Sequence, residues 1–388
     1  MEPRSGFLVW HTVLCMLGSA GLGCSRSGDD VDAGPGPGTL VATLPLEVIP
    51  LGMASHGTLL HLLGARSDPG GVVFRVFRIQ DGRIDAEPLS AVDWTDYFAG
   101  NDLTLATRFD ALPGAAFLLG WQGVTVVPFD GSPSRWLLRP NLLPDGGPLT
   151  LLDGGPLRLP DGGLFPAIGF FAQASQLEAD GSLLVAWEHV QVPDDTCSLG
   201  RFTPSGEWQD LTELADSCGF GTVLLADPAS LYVTTNDRLW RVDRSTSSSS
   251  TLLTGLQIGA GFNSIYQLVK SEESLLFLRL LDRGAGAELD QLGPDGGIQT
   301  LESFGPSDLF ISALAAEGPS IYLLSQSALR RRLASGGDEV LAQAPSNGLF
   351  GLSGSHYVRL IIGDAGVFFT LTESTDAGLV STVRFVPR

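Results

Sequence analysis

The chain carries short apolar runs of about five to eight residues, each bounded by Gly, Pro, Asp or Ser, from Leu40 onward. Such runs are typical of β-strands, and almost none of this region has the spacing of an amphipathic helix. One strong run recurs about every 44–48 residues in the second half of the chain and at longer intervals in the first half. It begins at Leu59, Ala115, Ser182, Ser230, Ser274, Ser320 and Gly366.

The neighbours of this run recur as well. Apolar runs precede it at 222–227, 264–269, 309–314 and 357–363, and runs with arginine follow it at 73–79, 238–244, 329–334 and 381–386. A turn such as Asp295-Gly296 comes next, and Asp-Gly favours tight hairpins because glycine adopts positive φ without strain. A weaker run, as at 250–256 or 339–344, ends the unit. Each unit therefore predicts four antiparallel strands.

Four antiparallel strands repeating about every 45 residues resemble the blades of a β-propeller repeat protein. The resemblance covers 39–388 and implies one all-β, seven-bladed domain of four-stranded antiparallel blades. Units are expected to start near residues 47, 103, 166, 222, 264, 309 and 356. Six or eight blades and tandem β-sandwiches are the alternatives. The subfamily stays open, because neither a Trp-Asp ending nor a Kelch double glycine marks the repeats.

The seventh unit lacks a fourth strand, because the sequence ends shortly after its third run at 381–386. One spare apolar run lies at the other end of the chain, at 39–46. We expect these two segments to pair and to close the ring, since an unclosed propeller would expose a sheet edge.

The first residues predict a targeting segment. A weakly positive start with Arg4, an apolar stretch at 7–17 and small residues after it are the layout of a secretory signal peptide, 1–23. Gly23-Cys24 resembles the cleavage site of bacterial lipoproteins, although Gly21 stands where leucine is usual. The resemblance implies a lipid on Cys24, and 24–38, rich in Gly, Pro and Asp, predicts a flexible tether. Free secretion after ordinary cleavage is the alternative.

The charge narrows the choice of partners. The 388 residues include 43 Asp and Glu against 23 Lys and Arg, for a formal net charge of −20. Such a surface repels phosphate backbones and anionic lipid headgroups, so we expect no nucleic-acid partner and membrane contact only through the lipid anchor. Lys270 is the only lysine, a bias towards arginine that suggests a GC-rich bacterial source.

Two of the four cysteines are left for the folded domain. Cys15 falls in the signal segment and Cys24 is the lipid-attachment candidate, which leaves Cys197 and Cys218. In an exported domain such a pair most often forms a disulfide, with two free thiols as the alternative. A zinc site is disfavoured, because His189 is the only nearby histidine.

The sequence contains no recognisable catalytic motif. It has no G-x-S-x-G elbow, P-loop or H-E-x-x-H, and its histidines lack metal-ligand spacing, so no cofactor or metal is expected. The segment 142–166 repeats D-G-G three times. Calcium binding is one interpretation of this repeat, but turn chemistry accounts for the same residues.

The antiparallel order of the four strands in each unit predicts one binding face. The connection from the second to the third strand and the connection to the next unit emerge at the same end of each unit. Loops longer than the repeat requires tend to carry function, and four are of these two kinds: 90–102, 140–165, 189–197 and 215–221. The first contains aromatic and acidic residues suited to a sugar, a cation or a protein surface: Asp93, Trp94, Asp96, Tyr97, Phe98 and Asp102.

These patterns favour a non-catalytic binding or scaffolding module, monomeric and held in the cell envelope. Its partner would be a protein or a carbohydrate. A propeller hydrolase acting on a carbohydrate or lactone through surface carboxylates is one alternative, because acids are abundant and fold does not dictate function. A structural envelope protein without a ligand is another.

Overall fold

The computed structural model describes residues 35–388 except 57–58, 69–70, 81–82, 85–89, 94–107, 121–122, 139–169, 190–195, 219–221, 257–264, 273, 282–285, 306–310, 334–336, 351–359 and 364. Thirty strands and no helix occur in these residues. The strands form seven sheets, each with four antiparallel positions. This is a seven-bladed β-propeller, so the predicted fold class is confirmed.

The chain divides into two units, and the first comprises Met1–Leu105 and Phe310–Arg388. Its sheets are here called I, VI and VII. Sheet I contains β2 (Ile49–His56), β3 (Leu59–Asp68), β4 (Gly71–Gln80), β5 (Arg83–Ile84) and β6 (Ser90–Asp93). Sheet VI contains β23 (Ile311–Glu317), β24 (Ser320–Ser325), β25 (Ala328–Arg332) and β26 (Asp338–Gln343). Sheet VII contains β1 (Thr39–Thr43), β27 (Gly348–Phe350), β28 (Ile361–Gly363), β29 (Gly366–Thr375) and β30 (Gly378–Pro387).

The second unit, Ala106–Leu309, holds sheets II to V. Sheet II contains β7 (Arg108–Leu112), β8 (Ala115–Gly120), β9 (Gly123–Pro128) and β10 (Arg135–Leu138). Sheet III contains β11 (Phe170–Leu177), β12 (Leu183–His189), β13 (Thr196–Phe202) and β14 (Trp208–Leu214). Sheet IV contains β15 (Leu224–Ala226), β16 (Ser230–Thr234), β17 (Arg238–Asp243) and β18 (Ser249–Thr254). Sheet V contains β19 (Ile265–Ser271), β20 (Ser274–Leu280), β21 (Ala287–Leu292) and β22 (Ile298–Phe304).

The N-terminal strand β1 completes sheet VII, as the sequence predicts. It runs antiparallel to β30, with Thr39 opposite Phe385. The amide of Leu44 extends this ladder by donating to the Ser381 carbonyl at 2.9 Å. The expected pairing of 39–46 with 381–386 is therefore confirmed.

Two strands are each split in a way that the sequence pattern did not predict. The first strand of sheet VII was expected at 357–363, but β27 and β28 both pair with β29, on either side of an insertion. In sheet I, β5 and β6 both pair with β4. β4 and β29 are each 10 residues long, which leaves room for two short segments along one partner.

The burial gradient across the sheets follows the pattern expected of a propeller blade. All five residues of β16, the second strand of sheet IV, are buried. The fourth strand of the same sheet, β18, has four exposed and two half-buried residues. Apolar side chains on both faces of an inner strand are covered by neighbouring sheets, whereas the outer strands meet water.

A leucine bulge recurs in the outer strands of sheets III to VI. In each sheet the register between the third and fourth strands shifts just after a buried leucine, and one residue of the fourth strand is left without a partner. The unpaired residue is a half-buried leucine in every case: Leu211, Leu252, Leu301 and Leu341. Leu211 packs on the core shared by sheets III and IV, Leu252 on that of IV and V, and Leu341 on that of VI and VII. The bulge therefore lets an outer strand contribute to the core of the following sheet.

Candidate functional site

The structure describes little of the predicted aromatic loop. Ser90–Asp93 forms β6 and places Asp93 opposite Val73 of β4, so the connection begins after Asp93 and not at residue 90. The other candidates lie outside the described residues: Cys24, Trp94, Asp96, Tyr97, Phe98, Asp102 and the D-G-G insert at 140–165. Their roles stay predictions.

The D-G-G tripeptide also occurs within the described chain, at Asp295-Gly296-Gly297. There Gly296 has φ 81°, and the Gly297 amide donates to Asp295 Oδ1 at 3.1 Å. The Asp180-Gly181 turn has the same bond, from the Ser182 amide at 2.8 Å, and this bond lowers the pKa of Asp180. In both turns the aspartate stabilises the backbone, which is the turn chemistry expected for this motif.

The predicted disulfide is confirmed. Cys197 and Cys218 are bonded, with their Cα atoms 4.8 Å apart, and neither residue is exposed. Cys197 is the second residue of β13, immediately after the connection at 190–195, and Cys218 lies in the connection from sheet III to sheet IV. The bond therefore ties together the bases of two of the four long loops.

A hydrogen-bonded cluster lies beside this disulfide, at the end of sheets III and IV where the second strand connects to the third. We call this end the upper end. The upper-end cluster consists of Gln173, Glu188, Asp216, Ser217 and Thr235. Glu188, next to the end of β12, accepts hydrogen bonds from the Ser217 hydroxyl and, at 3.3 Å, from Gln173 Nε2. Gln173 is only 3% exposed, so this carboxylate is joined to the interior of sheet III.

Asp216 connects the cluster to sheet IV. Its Oδ1 accepts from the Ser217 amide at 3.0 Å, and its Oδ2 accepts from the Thr235 hydroxyl and from the Asp237 amide at 3.2 Å. Trp240 Nε1 donates to Thr235 Oγ1 at 3.0 Å. The segment 215–218 is thus held by sheet III on one side and by the β16–β17 hairpin of sheet IV on the other.

This arrangement suits a rigid frame. The Glu188 and Asp216 carboxylates accept hydrogen bonds from side-chain and backbone donors of the chain itself. Within the described ranges, no three His, Cys, Asp or Glu side chains converge as metal ligands would. Nor is any helix in these ranges long and apolar enough to cross a membrane.

Charged pairs cluster at the opposite, lower end of sheets III to V. Glu178 of sheet III pairs with Arg244 of sheet IV at 2.5 Å, and Asp227 of sheet IV pairs with Lys270 of sheet V. Burial alone would raise the pKa of Asp227, but hydrogen bonds from Lys270 and from the Ala229 and Ser230 amides lower it overall. The hydrogen bond to Asp227 raises the pKa of Lys270, although burial opposes this. These pairs join consecutive sheets.

Sequence reasoning identified the disulfide, but it missed Glu188, Asp216 and Ser217. Glu188 and Ser217 are 29 residues apart, and their contact depends on how the connection folds back over β12. One signal was present: Glu188 follows the apolar run 182–187 at the point where an inner strand reaches its end. An acid in that position needs a partner when the strand end is covered.

No protein-family model and no curated protein sequence matches the chain. Solved structures match at low identity. The uncomplexed acylaminoacyl peptidase of Pyrococcus horikoshii has a TM-score of 0.50 at 8% identity, over 88% of this chain and 52% of that one. The extracellular domain of a one-component system from B. thetaiotaomicron has a TM-score of 0.49 at 11% identity, over 89% of this chain and 39% of that one. The AfRom2 CNH domain has a TM-score of 0.46 at 11% identity, over 90% of this chain and 99% of that one.

The likeness to the peptidase shows the fold alone, since the identity is 8%. This chain spans 39% of the one-component-system domain and 52% of the peptidase. The fold and the site together define a β-propeller in which a disulfide joins the bases of two loops at one end of sheet III.

Proposed function

We propose that this protein is an exported binding module, anchored through a lipid on Cys24, that holds a protein or carbohydrate at its upper end. The observation that carries the proposal is the bracing of two long loops at their bases. The disulfide joins the loop at 190–195 to the connection at 215–221, and the Glu188–Ser217 bond holds the same connection against sheet III. Fixing loops before binding reduces the entropy lost when a ligand is bound.

The disulfide also supports the export part of the proposal. Structural disulfides persist in oxidising compartments and are rare in reducing ones. A formal net charge of −20 agrees with a soluble domain held near, but not on, an anionic membrane surface.

Binding is tested with the oxidised full-length protein on an array of purified glycans and on a panel of purified extracellular protein domains. Asp237→Ala changes an exposed residue at the upper end of sheet IV, Trp94→Ala changes the predicted aromatic loop, and Glu207→Ala changes an exposed lower-end turn of sheet III. We expect a hit whose affinity falls at least tenfold in Asp237→Ala and Trp94→Ala and stays within twofold in Glu207→Ala. No hit in either collection, or equal losses in all three variants, would contradict the proposed binding end.

The anchor has a separate test in a bacterial expression host fed an alkyne fatty acid. We expect label on the unmodified protein and none on Cys24→Ser, while Cys15→Ser keeps its label. Label that survives Cys24→Ser would refute attachment at that residue and leave the binding result unaffected.

A further inference from the structure

The position of the disulfide within the core limits when it can form. Cys197 and Cys218 are both 0% exposed and belong to one apolar cluster. That cluster also contains Leu231 and Val233 from β16 and Val242 from β17, which are 1%, 0% and 1% exposed. Sheet IV therefore supplies part of the apolar cluster in which the disulfide is buried.

The chemistry of disulfide formation needs access that the folded protein does not offer. A cysteine thiolate attacks an external disulfide and forms a mixed disulfide, and the second cysteine thiolate then attacks that bond. The two cysteines lose two protons and two electrons, and the external disulfide is reduced to two thiols. A thiol buried among apolar side chains stays protonated and is inert towards this attack.

We propose that Cys197 and Cys218 are oxidised by an external disulfide, such as that of a thiol–disulfide oxidoreductase, before sheet IV packs on sheet III. Packing then shields the bond from reductants. The partner needed is an oxidant that acts on the unpacked chain. A chain that packs before oxidation keeps two trapped thiols. This inference does not depend on the identity of the ligand.

The first test measures the native protein. The oxidised full-length chain is exposed to dithiothreitol with and without guanidinium chloride, alkylated, and mapped by mass spectrometry at the peptides containing Cys197 and Cys218. We expect no alkylation at these two residues after hours without denaturant and complete alkylation with it. Rapid reduction of the native protein would overturn the proposal.

The second test measures the order of events. The reduced, unfolded chain is refolded with oxidised glutathione added either at dilution or after tryptophan fluorescence has recovered. We expect the bond to form at least tenfold faster with early oxidant, and equal rates would overturn the proposal. If fluorescence does not recover without oxidant, packing itself requires the bond, which supports the same order.

A matched pair of variants distinguishes opening of this interface from general loss of stability. Leu231→Ala loosens the core between sheets III and IV, whereas Leu324→Ala removes an equally buried leucine in the core of sheets VI and VII. We expect native-state reduction to be at least tenfold faster in Leu231→Ala than in Leu324→Ala. Equal acceleration would mean that the sulfur atoms become accessible by global unfolding and would contradict local shielding by sheet IV.

Discussion

The segment that follows β1 offers a sharp test of how the N-terminal strand is held. Leu44 is 3% exposed and packs with Val48, Met53, Phe77 and Val383. Met53 and Phe77 belong to sheet I and Val383 to sheet VII, so this one side chain contacts the cores of both sheets. Leu44→Ala should therefore weaken the docking of β1 without touching the backbone bond from its amide to Ser381.

The size of the effect follows from what the substitution removes. Leu44→Ala deletes about three buried carbon atoms, or roughly 2.4 kcal/mol at about 0.8 kcal/mol for each. The cavity left behind adds to this, and buried Leu→Ala changes cost about 2.7–5.0 kcal/mol in total. We expect Leu44→Ala to lower the free energy of unfolding by about 3 kcal/mol.

The same segment supplies a matched control. Leu40 in β1 is 51% exposed, so Leu40→Ala should cost no more than about 1 kcal/mol. Both variants are unfolded in urea with the disulfide intact and followed by tryptophan fluorescence, with the slope m checked for constancy. If the two variants lose equal stability, the Leu44 side chain is not buried between the cores of sheets I and VII, and the described position of the segment after β1 has to be rejected.

Three further predictions concern the second unit. Removing the disulfide by replacing Cys197 and Cys218 with serine should cost about 3 kcal/mol, because the bond spans 21 residues of chain; calorimetry checks this. Gly200→Ala should cost about 1–3 kcal/mol in a urea melt, because a Cβ there would lie 1.9 Å from the Trp208 ring. The folded-state pKa of Asp227 is lowered, so its contribution should be present above the unfolded pKa of about 3.9 and lost as pH falls through the folded pKa. Since Lys270 is 35% exposed, this pair should contribute only about 0.5 kcal/mol at pH 7, measured with Lys270→Gln.

Each of these predictions has a control and a contrary result. For Gly200, the control is Gly114→Ala, where a Cβ meets nothing within 4 Å, and equal stability of the two variants would mean that Trp208 moves aside without cost. For the disulfide, replacing one cysteine with serine should lower the stability as much as replacing both. A double variant as stable as the parent would refute the bracing role. For the ion pair, the stability difference between parent and Lys270→Gln should shrink as the pH falls below the unfolded pKa of about 3.9, and a constant difference would exclude the Asp227 carboxylate as the cause.

The repeat was predictable because its signal is periodic and strong. Apolar runs about 45 residues apart, with glycine turns between them, locate the second strand of all seven sheets to within about one residue. The split strands were not predictable, because two short segments such as 348–350 and 361–363 bear no mark that both pair with β29. A leucine recurs in the outer runs of these sheets and is visible in the sequence. That it is the residue left unpaired at a bulge depends on the register between the third and fourth strands, which the hydrophobic pattern does not specify.

The candidate site was predictable only as a location. Parity places the loops at 189–197 and 215–221 at one end of sheet III, and two cysteines within them indicate a bond. The partners of Glu188 and Asp216 depend on how the chain at 215–218 runs after β14, and no residue pattern encodes that path.

The two ends of sheets III to V are stabilised in different ways, and the difference bears on the proposed function. At the lower end, short turns are joined by charged pairs such as Glu178–Arg244, which need only ordinary hairpins. At the upper end, long connections are held by a buried disulfide and by hydroxyl and amide donors to Glu188 and Asp216. Ion pairs at a surface add little stability, but a covalent bond at the base of a loop restricts the loop even when its tip is free. The two connections at the upper end are therefore restricted at their bases by a covalent bond, and this restraint is the feature on which the proposed binding function rests.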